Sequence, residues 1–189
     1  MNRTKQLALA GLLLAVLILF ERFIAIDTQL LRVSFAYVPY ILAGWLLGPV
    51  WAAIIGVTGD LLGMLLMPKG SFFAGFTLNA LLTGAIYGLF LHNKPVDKMF
   101  VIRLLAALLI VHAGIHLGLT TLWLSIMYHK AFIAIIIGRI LANIIELPIE
   151  FASMFFIISF LEKPVHLHLR EQPDNSANAE QDDAPASES

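Results

Sequence analysis

The stretch FVIRLLAALLIVHAGIHLGLTTLWLSIM (Phe100–Met127), followed after a short break by FIAIIIGRILANIIELPIEFASMFFIISFL (Phe132–Leu161), decides the fold. The first carries a single Lys or Arg, Arg103, and no proline. Crossing the hydrocarbon of a bilayer takes roughly 20 predominantly apolar residues. Both stretches exceed that and are long enough to tilt. Towards the N-terminus, four further apolar runs appear: about Leu7–Ile26, the short Phe35–Leu47, Val50–Met67 and Phe76–Leu91. They are separated by Asp27-Thr28-Gln29, Gly48-Pro49, Pro68-Lys69-Gly70, Asn93-Lys94-Pro95 and His129-Lys130, the residues that punctuate helices. The pattern predicts an all-α integral membrane bundle of six transmembrane helices. The initial run is too long for a signal-peptide core and lacks a small-residue cleavage site, so it is expected to stay as the first helix.

Composition agrees. Of 189 residues, 59% are hydrophobic and only 13% charged, and mean hydropathy is +0.86. A soluble chain of this size lacks the interior to hide so much apolar surface. No basic patch suited to nucleic acid appears, and the absence of cysteine excludes disulfides and thiolate metal sites. The net charge of −1 conceals an uneven distribution: from Arg170 onward six acids face one base. Residues 1–163 are read as the membrane substrate-binding domain, and residues 164–189 as a disordered, acidic cytoplasmic tail.

With six spans both termini share one side. That side collects Arg3, Lys5, Lys94, Lys98, Arg103, Lys163 and Arg170, against Arg22, Arg32, Lys69 and Lys130 on the other. Lys and Arg accumulate on the cytoplasmic side, so both termini are expected there. The outward links after helices one, three and five then carry Arg32, Lys69 and Lys130, a cationic mouth that attracts an anion.

Ionisable groups at bilayer depth are costly and are functional candidates. On helix six, Arg139, Asn143, Glu146 and Glu150 share one face. They make either an internal ion-pair network, with Arg139 serving Glu146 or Asp60, or a binding surface, the latter favoured for Arg139 near the outward end. On helix five, His112, His116, Thr120 and Trp123 share a face. HAGIH lacks the glutamate of a zinc-protease motif and no third ligand is placed, so hydrogen bonding in the core outranks metal binding. Trp123 is either an interfacial anchor or a stacking plane. Helix four aligns Asn79, Thr83 and Tyr87, and just before it Lys69-Gly70-Ser71-Phe72-Phe73-Ala74-Gly75-Phe76 sets aromatics beside a cation. For Asp60, structural pairing ranks ahead of proton coupling. Four G-x-x-x-G pairs (Gly44/Gly48, Gly59/Gly63, Gly84/Gly88, Gly114/Gly118) predict close helix packing. Ala8, Gly11 and Ala15 form another small face, on helix one. There is no Walker motif, nucleophile elbow or zinc motif, so the chain is read as a capture device without ATPase or other enzymatic activity, driven by an external engine.

The residues then resemble a family. Leu31-Arg32-Val33-Ser34-Phe35-Ala36-Tyr37-Val38-Pro39, Ala43-Gly44 and Gly48-Pro49 are similar to the substrate-binding S components of energy-coupling factor vitamin transporters. Gly59-Asp60-Leu61-Leu62-Gly63, Pro68-Lys69-Gly70, Phe72-Phe73-Ala74-Gly75-Phe76-Thr77-Leu78, Leu81-Thr83-Gly84-Ile86-Tyr87-Gly88, Thr121-Leu122-Trp123-Leu124, and Arg139 with Leu147-Pro148-Ile149 resemble its folate-type branch.

The resemblance implies capture of the vitamin on the outer side of a bacterial cell membrane, with a transmembrane coupling subunit and two cytoplasmic ATPases as partners. The S component then topples in the membrane to deliver its load. The family's helix-one Ala-x-x-x-Ala contact with the coupling subunit maps onto Gly11 and Ala15, with Ala8 on the same face. Where the family pattern has Asn before Thr-Leu-Trp, this chain has Thr120. For a folate-like ligand, Phe73, Phe76, Tyr37 and Trp123 are the expected stacking planes and Asn79 the partner of the polar edge. Arg32, Arg139, Lys69 and Lys130 are the cations available to the carboxylates, the arginines ranked ahead of the two lysines, whose role is steering, because arginine binds bidentately. No cofactor and no metal are expected. Alternatives are the same machine with another vitamin such as pantothenate, a proton-coupled carrier using Asp60, Glu146 and Glu150, and a membrane enzyme using His112 and His116.

Overall fold

The computed structural model of the chain describes residues 3–24, 26–27, 32–68, 72–129 and 132–170. Six helical rods are present among them: α1 (Arg3–Arg22), α2 (Tyr37–Leu47), α3 (Pro49–Leu66), α4 (Ala74–Leu91), α5 (Lys98–Tyr128) and α6 (Phe132–Arg170). All except α2 are long and apolar enough to cross a membrane. The all-helical membrane bundle expected from the hydrophobic runs is the architecture found. One small addition was not foreseen: Ile26–Asp27 (β1) and Arg32–Val33 (β2) pair antiparallel, Asp27 opposite Arg32. α6 runs seven residues past the expected end of the membrane domain, to Arg170. Residues 171–189 of the expected tail lie outside the described residues.

Local chemistry sets the boundaries. Gly48 and Pro49 divide α2 from α3 with no intervening loop, Gly48 turning the chain at φ 92° and Pro49 opening α3 where its missing N–H costs nothing. Asp97 caps α5, its Oδ1 accepting from the Phe100 N–H at 2.7 Å. His129 takes the left-handed conformation that closes α5. Within α5, Val111–Leu119 is wound as a π-helix, flanked by ordinary α-helix on both sides. A π stretch of this length is unusual and often marks a functional segment.

The largest fully buried side chains are Tyr87, Phe100, Leu17, Ile41, Leu91, Leu104, Leu108, Met154 and Ile158. Most of them belong to the half of the bundle that holds α2, the end of α4, the start of α5 and the second half of α6, which the charge distribution assigns to the cytoplasmic side. Large apolar residues such as Val50, Ile54, Leu65, Leu89, Ile133, Ile137 and Phe156 are exposed, which is the disposition of a surface solvated by lipid rather than water.

Three of the four glycine pairs do what the small-residue spacing predicts. A Cβ on Gly88 would stand 2.2 Å from the Pro49 Cα, one on Gly84 2.3 Å from the Ala52 carbonyl oxygen, and one on Gly44 2.7 Å from the Gly88 nitrogen, so α2, α3 and α4 meet backbone to backbone. Gly59 admits the Leu17 side chain, and Gly63 the guanidinium of Arg22. Gly114 and Gly118 are different. They lie in the π segment, Gly114 faces open space, and Gly118 meets nothing nearer than ordinary contact.

Candidate functional site

The N-terminus of α4 and the last turns of α5 bring four of the expected site residues together. Phe73, in extended conformation, is the N-cap residue of α4. Its ring packs on Trp123 of α5, centroids 5.6 Å apart and planes tilted by 52°, and edge-on against Phe76 at 6.0 Å. Gly75 lies directly behind this contact: a Cβ there would stand 2.5 Å from the Phe73 ring and 2.7 Å from that of Trp123. The rings can meet across the helix start only because residue 75 has no side chain.

One turn further on, Asn79 is buried, 7% exposed, and both ends of its amide are engaged. Its Nδ2 donates to Thr120 Oγ1 at 3.0 Å, and its Oδ1 accepts from the Trp123 indole Nε1 at 3.1 Å. Thr120 donates onward to the Ile115 carbonyl five residues back, at 2.8 Å, a span that follows the π winding. The Thr120 hydroxyl supplies the acceptor that the Asn79 amide needs. The result is a wall of three aromatic rings meeting an oriented amide and hydroxyl. That combination suits a flat heteroaromatic whose faces stack and whose edge hydrogen-bonds.

Arg139 approaches the same part of α5 from α6. Its Nε donates to the His116 carbonyl at 3.1 Å, one turn before Thr120, while the Asn143 Nδ2 donates to the Arg139 carbonyl at 2.8 Å. Tyr37 belongs to a different neighbourhood. It is buried at the start of α2, packs on Phe35 at 6.1 Å, and lies 2.6 Å from Ser153 Oγ on α6. The Ser153 hydroxyl is within donating distance of the Ile149 carbonyl, which leaves the Tyr37 hydroxyl as donor in that bond. Arg32 sits in β2 by its backbone, and its side chain is not among those described. Lys69 and Lys130 lie outside the described residues.

Of the α5 histidines, His112 is buried and His116 half-buried. His112 hydrogen-bonds the Leu108 carbonyl through Nδ1 at 3.1 Å, stacks on His116 at 5.2 Å, and sets its Nε2 3.8 Å from a Glu150 carboxylate oxygen. Among the described residues no cluster of three or more His, Asp or Glu forms a metal-binding group. Asp60 is structurally paired, with a partner other than the one considered: Arg22 of α1 lies 3.9 Å away, and Thr77 of α4 donates to Asp60 Oδ2 at 2.7 Å. An apolar groove between α3 and α4, lined by Val50, Ile54, Val57, Leu81 and Leu89, lies on the lipid-facing surface, away from this polar chemistry.

Sequence reasoning quoted Gly75 and Thr77 within a motif but gave neither a role of its own. Gly75 carries a readable signal, a glycine between two aromatics at the start of a helix. Thr77 carries none, because threonine is ordinary in a helix of this kind.

Comparison with known proteins places this geometry in context. Residues 5–158 match the family model described as "ECF transporter, substrate-specific component". A "Folate transporter FolT" of Clostridium novyi (strain NT) is 36% identical over 150 residues, covering 79% of this chain and 86% of that protein. A second "Folate transporter FolT", from Leuconostoc mesenteroides subsp. mesenteroides, is 33% identical over 163 residues, covering 82% and 85%. Among solved structures, one described as "Crystal structure of FolT bound with folic acid" is similar with a TM-score of 0.73 and 42% sequence identity, covering 82% of this chain and 91% of that one.

Proposed function

Because the chain belongs to the family of ECF transporter substrate-specific components, we propose that its aromatic–amide wall captures folate and that the molecule serves as the folate-specific S subunit of an uptake system. The observation that carries this reading is the assembly of Phe73, Phe76, Trp123, Asn79 and Thr120. A pterin is flat, has two faces to stack, and presents ring nitrogens and an amide along its edge. The Asn79 amide can serve such an edge, fixed as it is by Trp123 and Thr120. The names of the relatives support the same ligand.

Phe73 and Trp123 touch, so a pterin enters only if they part. Sandwiching a ring needs roughly 7 Å between planes, twice the carbon contact distance. The present centroid separation is 5.6 Å. Phe73, at the end of a link rather than within a helix, is the ring that moves. The carboxylates of the ligand's glutamate meet Arg139 and Arg32, with Lys69 drawing the anion in. In the cell membrane Ala8, Gly11 and Ala15 face the coupling subunit, two cytoplasmic ATPases supply the energy, and the chain itself performs no covalent chemistry.

Mass spectrometry of the small molecule that co-purifies with the full chain is the direct test. A folate is expected; pantothenate or another non-aromatic vitamin would overturn the assignment.

A further inference from the structure

We propose that Arg22 and Asp60 form a positioning clasp for the aromatic–amide wall, holding the end of α3 and the start of α4 in the arrangement that presents Phe73 and Asn79 to Trp123. This rests on the functional reading above for its ligand, but not for its geometry. Asp60 touches three helices: its own α3, α1 through Arg22 at 3.9 Å, and α4 through Thr77 at 2.7 Å. Arg22 in turn donates from Nη1 to the carbonyl of Met67, the C-cap residue of α3, at 3.3 Å. One guanidinium–carboxylate couple therefore secures both stems of the link between α3 and α4. That link ends at Phe73.

The arrangement on α4 explains why this matters to the site. Thr77 and Asn79 are two residues apart, about 200° around the helix. The first is gripped from the α1–α3 side by Asp60, the second from the α5 side by Thr120 and Trp123. Releasing one grip lets the first turn of α4 shift, and Phe73 shifts with it.

The sequence also makes room for the couple. A Cβ on Gly63 would stand 2.5 Å from the Arg22 Nε, so α3 gives up a side chain to admit the guanidinium. Both charged side chains are largely buried, 6% and 14% exposed. A buried ion pair is often no more stabilising than apolar residues of similar volume. Arrangement, rather than stability, is what it contributes.

The test uses the full chain in lipid nanodiscs, with Trp45→Phe and Trp51→Phe so that Trp123 is the sole indole emitter. Two variants are compared with that background. Thr77→Val removes the hydroxyl and keeps the branched shape; Arg22→Met combined with Asp60→Leu removes both charges together. Each is expected to speed folic acid dissociation roughly tenfold and to make Trp123 more accessible to acrylamide without ligand, at an unchanged unfolding temperature. Unchanged dissociation and accessibility would overturn the clasp. So would changes that only follow a fall in unfolding temperature, which would mark the couple as a plain fold staple. If the background itself fails to bind folic acid, the functional reading falls, while acrylamide accessibility still decides the clasp.

Discussion

Gly75 supports two rings on a bare backbone, and that makes it the most demanding residue of the site. In Gly75→Ala the new methyl would overlap Phe73 and Trp123, so stability without ligand should fall by about 1–3 kcal/mol, the usual cost of forcing packed side chains apart, as read from the unfolding temperature. Trp123 separates two contributions. Trp123→Phe keeps a stacking plane and loses only the bond to Asn79, which should weaken binding by about 1 kcal/mol, whereas Trp123→Ala should abolish measurable binding. Arg32→Ala should cost roughly 1.5–3 kcal/mol, as for a charge-assisted hydrogen bond; unchanged affinity in the purified protein would remove Arg32 from the site. That Phe73, Phe76, Asn79 and Trp123 come together was legible in part, because the aromatics crowd the start of α4 and Asn79 and Trp123 stand out as hydrogen-bonding groups on apolar helices. The pairing of Asp60 with Arg22 was not legible, since helix periodicity orders residues around one rod and says nothing about which rod a carboxylate will face.

At the scale of elements, glycine spacing proved a good guide where straight α-helices meet and a poor one where the winding changes. The Gly44, Gly84 and Gly88 contacts are backbone approaches, and Gly88→Ala should lower stability by about 1–3 kcal/mol, measured as a drop in unfolding temperature in detergent. Gly114 shares the four-residue spacing but faces open space, so Gly114→Ala should be neutral, or stabilising by up to about 1 kcal/mol through better helix propensity. The π stretch of α5 separates the two cases. Its i→i+5 ladder shifts the register that the spacing rule assumes, which is why Gly114 and Gly118 read from sequence as packing residues. The same winding delivers Thr120 to the Ile115 carbonyl and to Asn79.

For the molecule as a whole, the four middle runs were legible to within two residues at each end, because the bilayer fixes the length of a rod and glycine, proline and asparagine end it, whereas α1 spans Arg3–Arg22 rather than the expected Leu7–Ile26, Ile26 falling in β1. The Gly48–Pro49 division is the clearest instance. The β1–β2 pairing and the extension of α6 to Arg170 were not legible, the first because two-residue strands carry no period, the second because the residues after Leu161 are polar. The outer face of α1 offers a test at this scale. Ala8, Gly11 and Ala15 are exposed together, and a Cβ at Gly11 would meet nothing within 4 Å. Gly11→Leu should therefore leave folate affinity in the purified chain unchanged while abolishing ATP-driven uptake in cells, if that face receives the coupling subunit. Uptake at the normal rate would exclude it.

The eleven residues of α2 climb only about 16 Å, half the depth of the hydrocarbon. Above Tyr37 the bundle is thus missing the top of one stave, and among the described residues the chain between α1 and α2 forms no helix. Peptide groups in oil need partners within the protein, and the short ladder between Ile26–Asp27 and Arg32–Val33 provides some of them. A bundle that tips over to unload would drag this notch past lipid tails. The protein that receives it would then have reason to cover the notch, so that the weakest point of the wall would also dictate which way the load can be tipped.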